Sequence, residues 1–220
     1  MPYCSVNGIR IHYEVLGEGS PLVLIHANPF DRRLWMYQAA HFSTFFRVIN
    51  VDIRGYGFSD KPTSKTSIVE MAEEVVGVLR QEGVSEAIVA GISVGGVIAL
   101  QLGLDHPEIF KSLILVGCSS GPGGRYQERI DGYTEGVEKY HIQHLRSLVS
   151  KDFSESRLGR YLLNNFTEWD KRLNGEAIIE IFKALQDREV TNRLGELKMP
   201  VLVINGEFDN SLPRSLEMSR

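Results

Sequence analysis

The segment Gly91-Ile92-Ser93-Val94-Gly95-Gly96 decides how this chain is read. It follows Glu86–Gly91, a run with strand character, and opens Val94–Leu104, small and apolar like a helix packed against a sheet. G-x-S-x-G in that setting puts a serine on a strained strand-to-helix turn, with glycines on both sides that avoid clashes with neighbouring backbone. The turn lifts the Ser93 hydroxyl out of the sheet. The N–H of Val94 then points to where an oxyanion would form, and the helix N-terminus adds positive potential. An ordinary Gly/Ser turn has the same letters; the flanking strand and helix favour a nucleophile. The glycines at 91, 95 and 96 do not make G-x-G-x-x-G, and no Lys-Ser/Thr pair follows, so a phosphate cradle is set aside.

Outward from this turn the chain alternates strands and helices. Tyr3–Val6 and Ile9–Val15 read as strands joined by the hairpin signal Asn7-Gly8. Leu22–His26, Arg47–Asp52, Ser112–Val116 and Val201–Asn205 read as core strands, the last introduced by Pro200. Ile68–Glu82 carries a helical apolar stripe, with Gly83 placed as a C-cap. The expectation is an α/β fold with a mostly parallel sheet and helices on both faces. Between about Tyr126 and Leu197 only helical patterns occur, with candidate helices Tyr133–Val149, Ser156–Asn165 and Glu176–Leu185. That stretch is too long for a loop and reads as a helical lid inserted after the sixth strand, entered through Gly121-Pro122-Gly123-Gly124. The division is a core in two parts, 1–124 and 198–220, with a lid at 125–197.

The 220 residues carry 28 acidic and 24 basic side chains, a formal charge of −4, and are 43% hydrophobic. No basic face is concentrated, which argues against nucleic acid. Two cysteines cannot form a disulfide framework, and no apolar run reaches spanning length, so a cytoplasmic protein without a membrane partner is expected. Nothing calls for a metal or an organic cofactor. His141 and His144, one turn apart, are only two ligands and read as a solvated helix face. His12 and His106 are likewise placed at the surface.

His26-Ala27-Asn28-Pro29 ends the strand before the first long loop. An acyl-transfer site needs a second N–H donor from such a loop, and the backbone of Asn28 is the candidate. His26 precedes the loop and is read as hydrogen-bonding within it rather than as a base.

These stretches together resemble the α/β-hydrolase-fold superfamily along the whole chain. Leu24-Ile25-His26-Ala27-Asn28-Pro29 is similar to its His-Gly-x-Pro oxyanion loop, with Ala27 in place of Gly. Asp52-Ile53-Arg54-Gly55-Tyr56-Gly57-Phe58-Ser59 resembles its Asp-x-Arg-Gly-x-Gly-x-Ser loop, structural in the family, and 91–96 its nucleophile elbow. The resemblance implies a triad acid just beyond Val201–Asn205, which is Asp209, with Glu207 as its neighbouring rival. It also implies a serine hydrolase, similar to carboxylesterases and enol-lactonases or to carbon–carbon bond hydrolases, acting on a small ester or activated carbonyl. A serine at the elbow sets the chain apart from relatives that use a carboxylate there. Phe30, Trp35, Tyr140, Phe166 and Trp169 are candidate pocket walls.

Family order also implies a histidine after the acid, on a loop past a further helix and edge strand. None occurs between Asn210 and Arg220. The expectation is therefore an incomplete version of a longer chain, its final strand and helix absent, with activity absent or residual and Val201–Asn205 left as an apolar edge open to self-association. A non-catalytic ligand-binding protein on the same fold is the alternative.

Overall fold

The computed structural model describes residues 2–123, 125–169 and 172–218. The strands are β1 (Tyr3–Val6), β2 (Ile9–Leu16), β3 (Ser20–Ile25), β4 (Phe46–Val51), β5 (Ala87–Ile92), β6 (Phe110–Val116) and β7 (Val201–Ile204). They form one sheet in the order β1-β2-β4-β3-β5-β6-β7. β1 and β2 pair antiparallel through a turn with positive φ at Asn7 (51°) and Gly8 (82°), as an Asn-Gly hairpin requires. β2 is also antiparallel to β4, and every later pair is parallel.

Side-chain alternation along the strands sorts the core onto the two faces. Val23 and Ile25 of β3 face the larger cluster, together with α2 (Ile68–Gln81) and α3 (Val94–Asp105). Leu22 and Leu24 face the other way, toward α1 (Met36–Phe42). Helix α2 opens with a capping box, Ser67 Oγ accepting from the Glu70 N–H at 3.2 Å and Glu70 Oε2 from the Ser67 N–H at 2.9 Å. It closes on Gly83 (φ 66°), with the Val84 N–H bonded to the Leu79 carbonyl. Buried residues run along α3 from Val94 to Leu104, so it packs under the sheet on all sides.

Between β6 and β7 the chain is helical: α4 (Tyr126–Glu135), α5 (Val137–Ser147), α6 (Lys151–Glu155), α7 (Arg157–Trp169) and α8 (Gly175–Gln186). The single helix expected over Tyr133–Val149 is in fact two. Gly136 separates α4 from α5 because glycine holds helical dihedrals poorly and here lies extended. The helix after β7, expected to be absent, is nonetheless formed over Leu212–Met218 as α9. β7 pairs with β6 alone among the described residues, and Leu202 and Ile204 on it are exposed. No helix of the described residues is long and apolar enough to cross a membrane.

Candidate active site

Ser93 sits between β5 and α3 with φ 53° and ψ −118°, a conformation costing roughly 1–3 kcal/mol in a non-glycine residue. The surroundings hold it there. Its N–H donates to the Val116 carbonyl at 2.8 Å, and its carbonyl accepts from the Val97 N–H at 3.0 Å. Each neighbouring glycine answers a close approach. A Cβ at Gly91 would overlap the Gly95 carbonyl, one at Gly95 the Ile25 carbonyl, and one at Gly96 would lie 2.7 Å from Cys118 Sγ. The spacing of glycines about Ser93 is thus a packing requirement of helix on sheet, and its outcome is a fixed hydroxyl beside the first, unpaired N–H groups of a helix.

The loop after β3 lies against this turn. His26 is fully buried; its Nε2 accepts from the Ile53 N–H at 3.0 Å, so the ring proton is on Nδ1, donated to the Ala27 carbonyl at 2.9 Å. Burial pushes its pKa down, leaving a neutral strut. The 52–59 loop is bolted from below. Asp52 accepts from His12 Nδ1 (2.8 Å), the Arg32 N–H (2.9 Å) and Nη1 (3.1 Å), and the Phe58 N–H (3.1 Å). Burial pushes the Asp52 carboxyl up, but the His12 hydrogen bond and the Arg32 guanidinium outweigh it and hold it below the usual carboxylate range. Arg54 Nε donates to Glu74 at 2.8 Å, and Arg54 also bonds Thr66 at 2.6 Å. His12 is consequently buried rather than at the surface: a carboxylate partner makes an interior imidazole tolerable. His106 is part-buried against Glu73 at 2.6 Å.

A cavity of about 390 Å³ opens where β3, β5, β6 and β7 end, the usual place for a ligand on a parallel sheet. Asn28, Ser93, Val94 and Asp209 all line it. Asp209 follows β7 in a turn, its N–H bonded to the Gly206 carbonyl at 3.1 Å. Its Oδ1 accepts from the N–H and hydroxyl of Ser211, both at 2.7 Å, and Oδ2 lies beside Gly117. Among the described residues, no histidine hydrogen-bonds to it. Glu207, the rival acid, does not line the cavity.

Of the five aromatic residues expected as walls, Phe30 lines the cavity and the other four do not. Phe166 packs edge-on behind Phe30 (4.7 Å between ring centres), and Trp169 lies behind Phe166 with Arg33 over its ring. Trp35 packs on the opposite face of the sheet with Leu22 and Leu24. Tyr140 packs edge-on against Tyr133 within the helical segment between β6 and β7. The wall is built instead by residues not expected there, Cys118, Tyr126, Arg129 and Phe182 among them, and by His144, expected on a solvated helix face. His141 and His144 are buried, not solvated. Helices α4 and α8 close over α5, and His144 Nδ1 pairs with the Tyr133 hydroxyl at 3.0 Å. Burial, with Arg129 and His141 nearby, takes His144 down to about 2, so it is a neutral wall. Burial likewise pushes the Cys118 thiol up to about 12, which keeps it from competing as a nucleophile. Arg125 and Arg129, four apart, were the available signal for a polar helix face over the site.

Comparison with known proteins agrees with this architecture. The chain is 27% identical over 214 residues to the AB hydrolase superfamily protein YisY of Bacillus subtilis, covering 93% of this chain and 80% of that one. Other curated relatives are longer, and the chain spans only 44 to 59% of several of them. Among solved structures, Est816, described as an N-acyl homoserine lactone degrading enzyme, superposes with a TM-score of 0.85 at 28% identity, over 99% of this chain and 86% of that one. The enol-lactonase of Burkholderia xenovorans LB400 superposes with a TM-score of 0.91 at 22% identity, over 99% and 86%, a likeness of fold. The family model for the alpha/beta hydrolase fold matches residues 20–219, the β3-to-α9 span that carries the elbow, the loop after β3 and Asp209, and the chain belongs to that family.

Proposed function

We propose that this chain carries the acyl-transfer site of a serine hydrolase acting on small carboxylic esters or lactones. The observation that carries the reading is Ser93, held at φ 53° on the β5–α3 turn and lining the same cavity as Asn28, Val94 and Asp209. In this reading the Ser93 hydroxyl attacks the carbonyl carbon, and the N–H groups of Asn28 and Val94 receive the developing oxyanion. The bond to the leaving oxygen breaks, and water then releases the acyl group from Ser93. Asp209 is placed to orient an imidazole that would take the serine proton and return it to the leaving group, a base that none of the described histidines supplies. Residues 125–197 act as a lid that roofs the cavity, and the protein works in the cytoplasm.

One observation favours the alternative of a ligand-binding protein on this fold: Asp209 Oδ1 is engaged by Ser211 and by no histidine. A serine hydroxyl without a base is a poor nucleophile at neutral pH. The test is labelling by a fluorophosphonate with and without added imidazole, followed by peptide mass mapping. The expected result is slow labelling at Ser93, accelerated by imidazole and lost in Ser93→Ala. A label that persists in Ser93→Ala, or no label at any imidazole concentration, overturns the proposal.

A further inference from the structure

The charges around the cavity run against those of the whole chain. The protein is acidic, with a formal charge of −4, yet three arginines and a single carboxylate line this cavity. Arg125 immediately precedes α4 and Arg129 lies within it; Arg214 comes from α9 and lies across Gly123, its Cγ 3.2 Å from where a Cβ there would be. Two separate parts of the chain therefore bring guanidinium groups to one opening. Asp209, the one acid, is at the floor and already accepts two hydrogen bonds.

The three arginines are not equally free. Arg125 is paired with Glu128 at 3.7 Å and Arg214 with Glu217 at 3.8 Å, separations too long for a hydrogen bond, and Glu189 lies within the field of Arg214. Arg129 has no carboxylate among the described residues. Its Nη1 and Nη2 donate only to the neutral hydroxyls of Tyr140 (3.4 Å) and Ser147 (3.2 Å). Long bonds to neutral acceptors leave most of the donor capacity of a half-buried guanidinium unused, and its planar fork matches a carboxylate. His144, facing the same cavity, cannot serve as a second cation because it is buried and bonded through Nδ1 to Tyr133.

We infer that the preferred substrate bears a free carboxylate in addition to the ester or lactone that is cleaved, and that Arg129 binds it, with Arg125 and Arg214 steering it in. This rests on the serine hydrolase reading for which bond breaks, but not for what binds. Ser93 and the three arginines line one cavity of about 390 Å³, so a small ligand carrying both groups can meet both.

The test separates the two. Binding of monomethyl glutarate and dimethyl glutarate to the Ser93→Ala protein is measured by calorimetry; the ligands differ by one methyl group and one charge. Monomethyl glutarate is expected to bind about 10- to 100-fold tighter, the worth of a charge-assisted hydrogen bond. That preference should shrink as salt rises, be lost in Ser93→Ala/Arg129→Gln, and be partly kept in Ser93→Ala/Arg129→Lys. Equal affinity for the two esters overturns the inference without any variant of Arg129 being needed. A preference that survives Arg129→Gln overturns the assignment to Arg129. Selective binding of monomethyl glutarate beside failed fluorophosphonate labelling of the wild-type chain would sink the serine hydrolase reading and leave this one standing.

Discussion

Gly95 presses on the carbonyl of Ile25 so closely that a Cβ at position 95 would occupy the same space as that oxygen. The contact joins the first turn of α3 to the end of β3. It therefore fixes the distance between the Val94 N–H and the loop carrying Asn28. Gly95→Ala must separate helix from strand, since the opposing atom is backbone. The expected outcome is a loss of about 1–3 kcal/mol in urea unfolding, together with loss of fluorophosphonate labelling at Ser93.

The strain at Ser93 predicts a stability gain on removing the side chain. Glycine reaches φ 53° without the Cβ penalty, though it adds freedom to the unfolded chain. Ser93→Gly should be more stable than wild type by about 1 kcal/mol in denaturant titration and show no labelling. Ser93→Ala keeps the Cβ and should not share the gain.

Asp52 is the hub beneath the loop after β3, and its loss should be felt in folding. Asp52→Ala strands the buried Arg32 guanidinium and His12 ring without their shared acceptor. Breaking one side of a buried ionic network costs roughly 3–5 kcal/mol, readable as a lowered urea midpoint. Asp52→Asn should recover part of this, because it retains the acceptor oxygen.

His144 makes stability pH-dependent in a calculable direction. Its pKa is lowered in the folded state to about 2, by burial first and then by Arg129 and His141, against about 6.5 when unfolded. Between those values the unfolded chain binds the extra proton, so this contribution is complete above pH 6.5 and falls away as pH drops toward 2. Each such histidine contributes about 1.4 kcal/mol per pH unit. Unfolding free energies measured from pH 7.5 to 4.5 should therefore decline less steeply in His144→Gln, by about one proton. An unchanged slope would mean the imidazole is protonated in the folded protein.

Much of the fold was legible because its signals are local. Strand and helix order, the Asn7-Gly8 hairpin, the Gly83 cap and the Gly91–Gly96 turn each depend on residues a few positions apart. The expectation of one helix over Tyr133–Val149 failed at Gly136, where the apolar spacing on both sides outweighed a single breaker in the reading. The candidate site was legible to the same degree. Asn28, Ser93, Val94 and Asp209 follow strand ends, and strand ends of a parallel sheet converge.

The cavity wall was not legible. An aromatic residue on a helix between β6 and β7 looks the same in sequence whether it faces the cavity, as Phe182 does, or packs behind it, as Phe166 does. Which one it is depends on how α4, α5, α7 and α8 cross, and that is settled by contacts between residues as far as 59 positions apart. The same holds for charge. Pattern alone identified His12, His141 and His144 as polar and placed them in water; only the assembled core buries them, gives His12 its carboxylate and, among the described residues, leaves Arg129 without one. Backbone chemistry is written in short motifs, whereas the partner of a side chain is chosen by the fold.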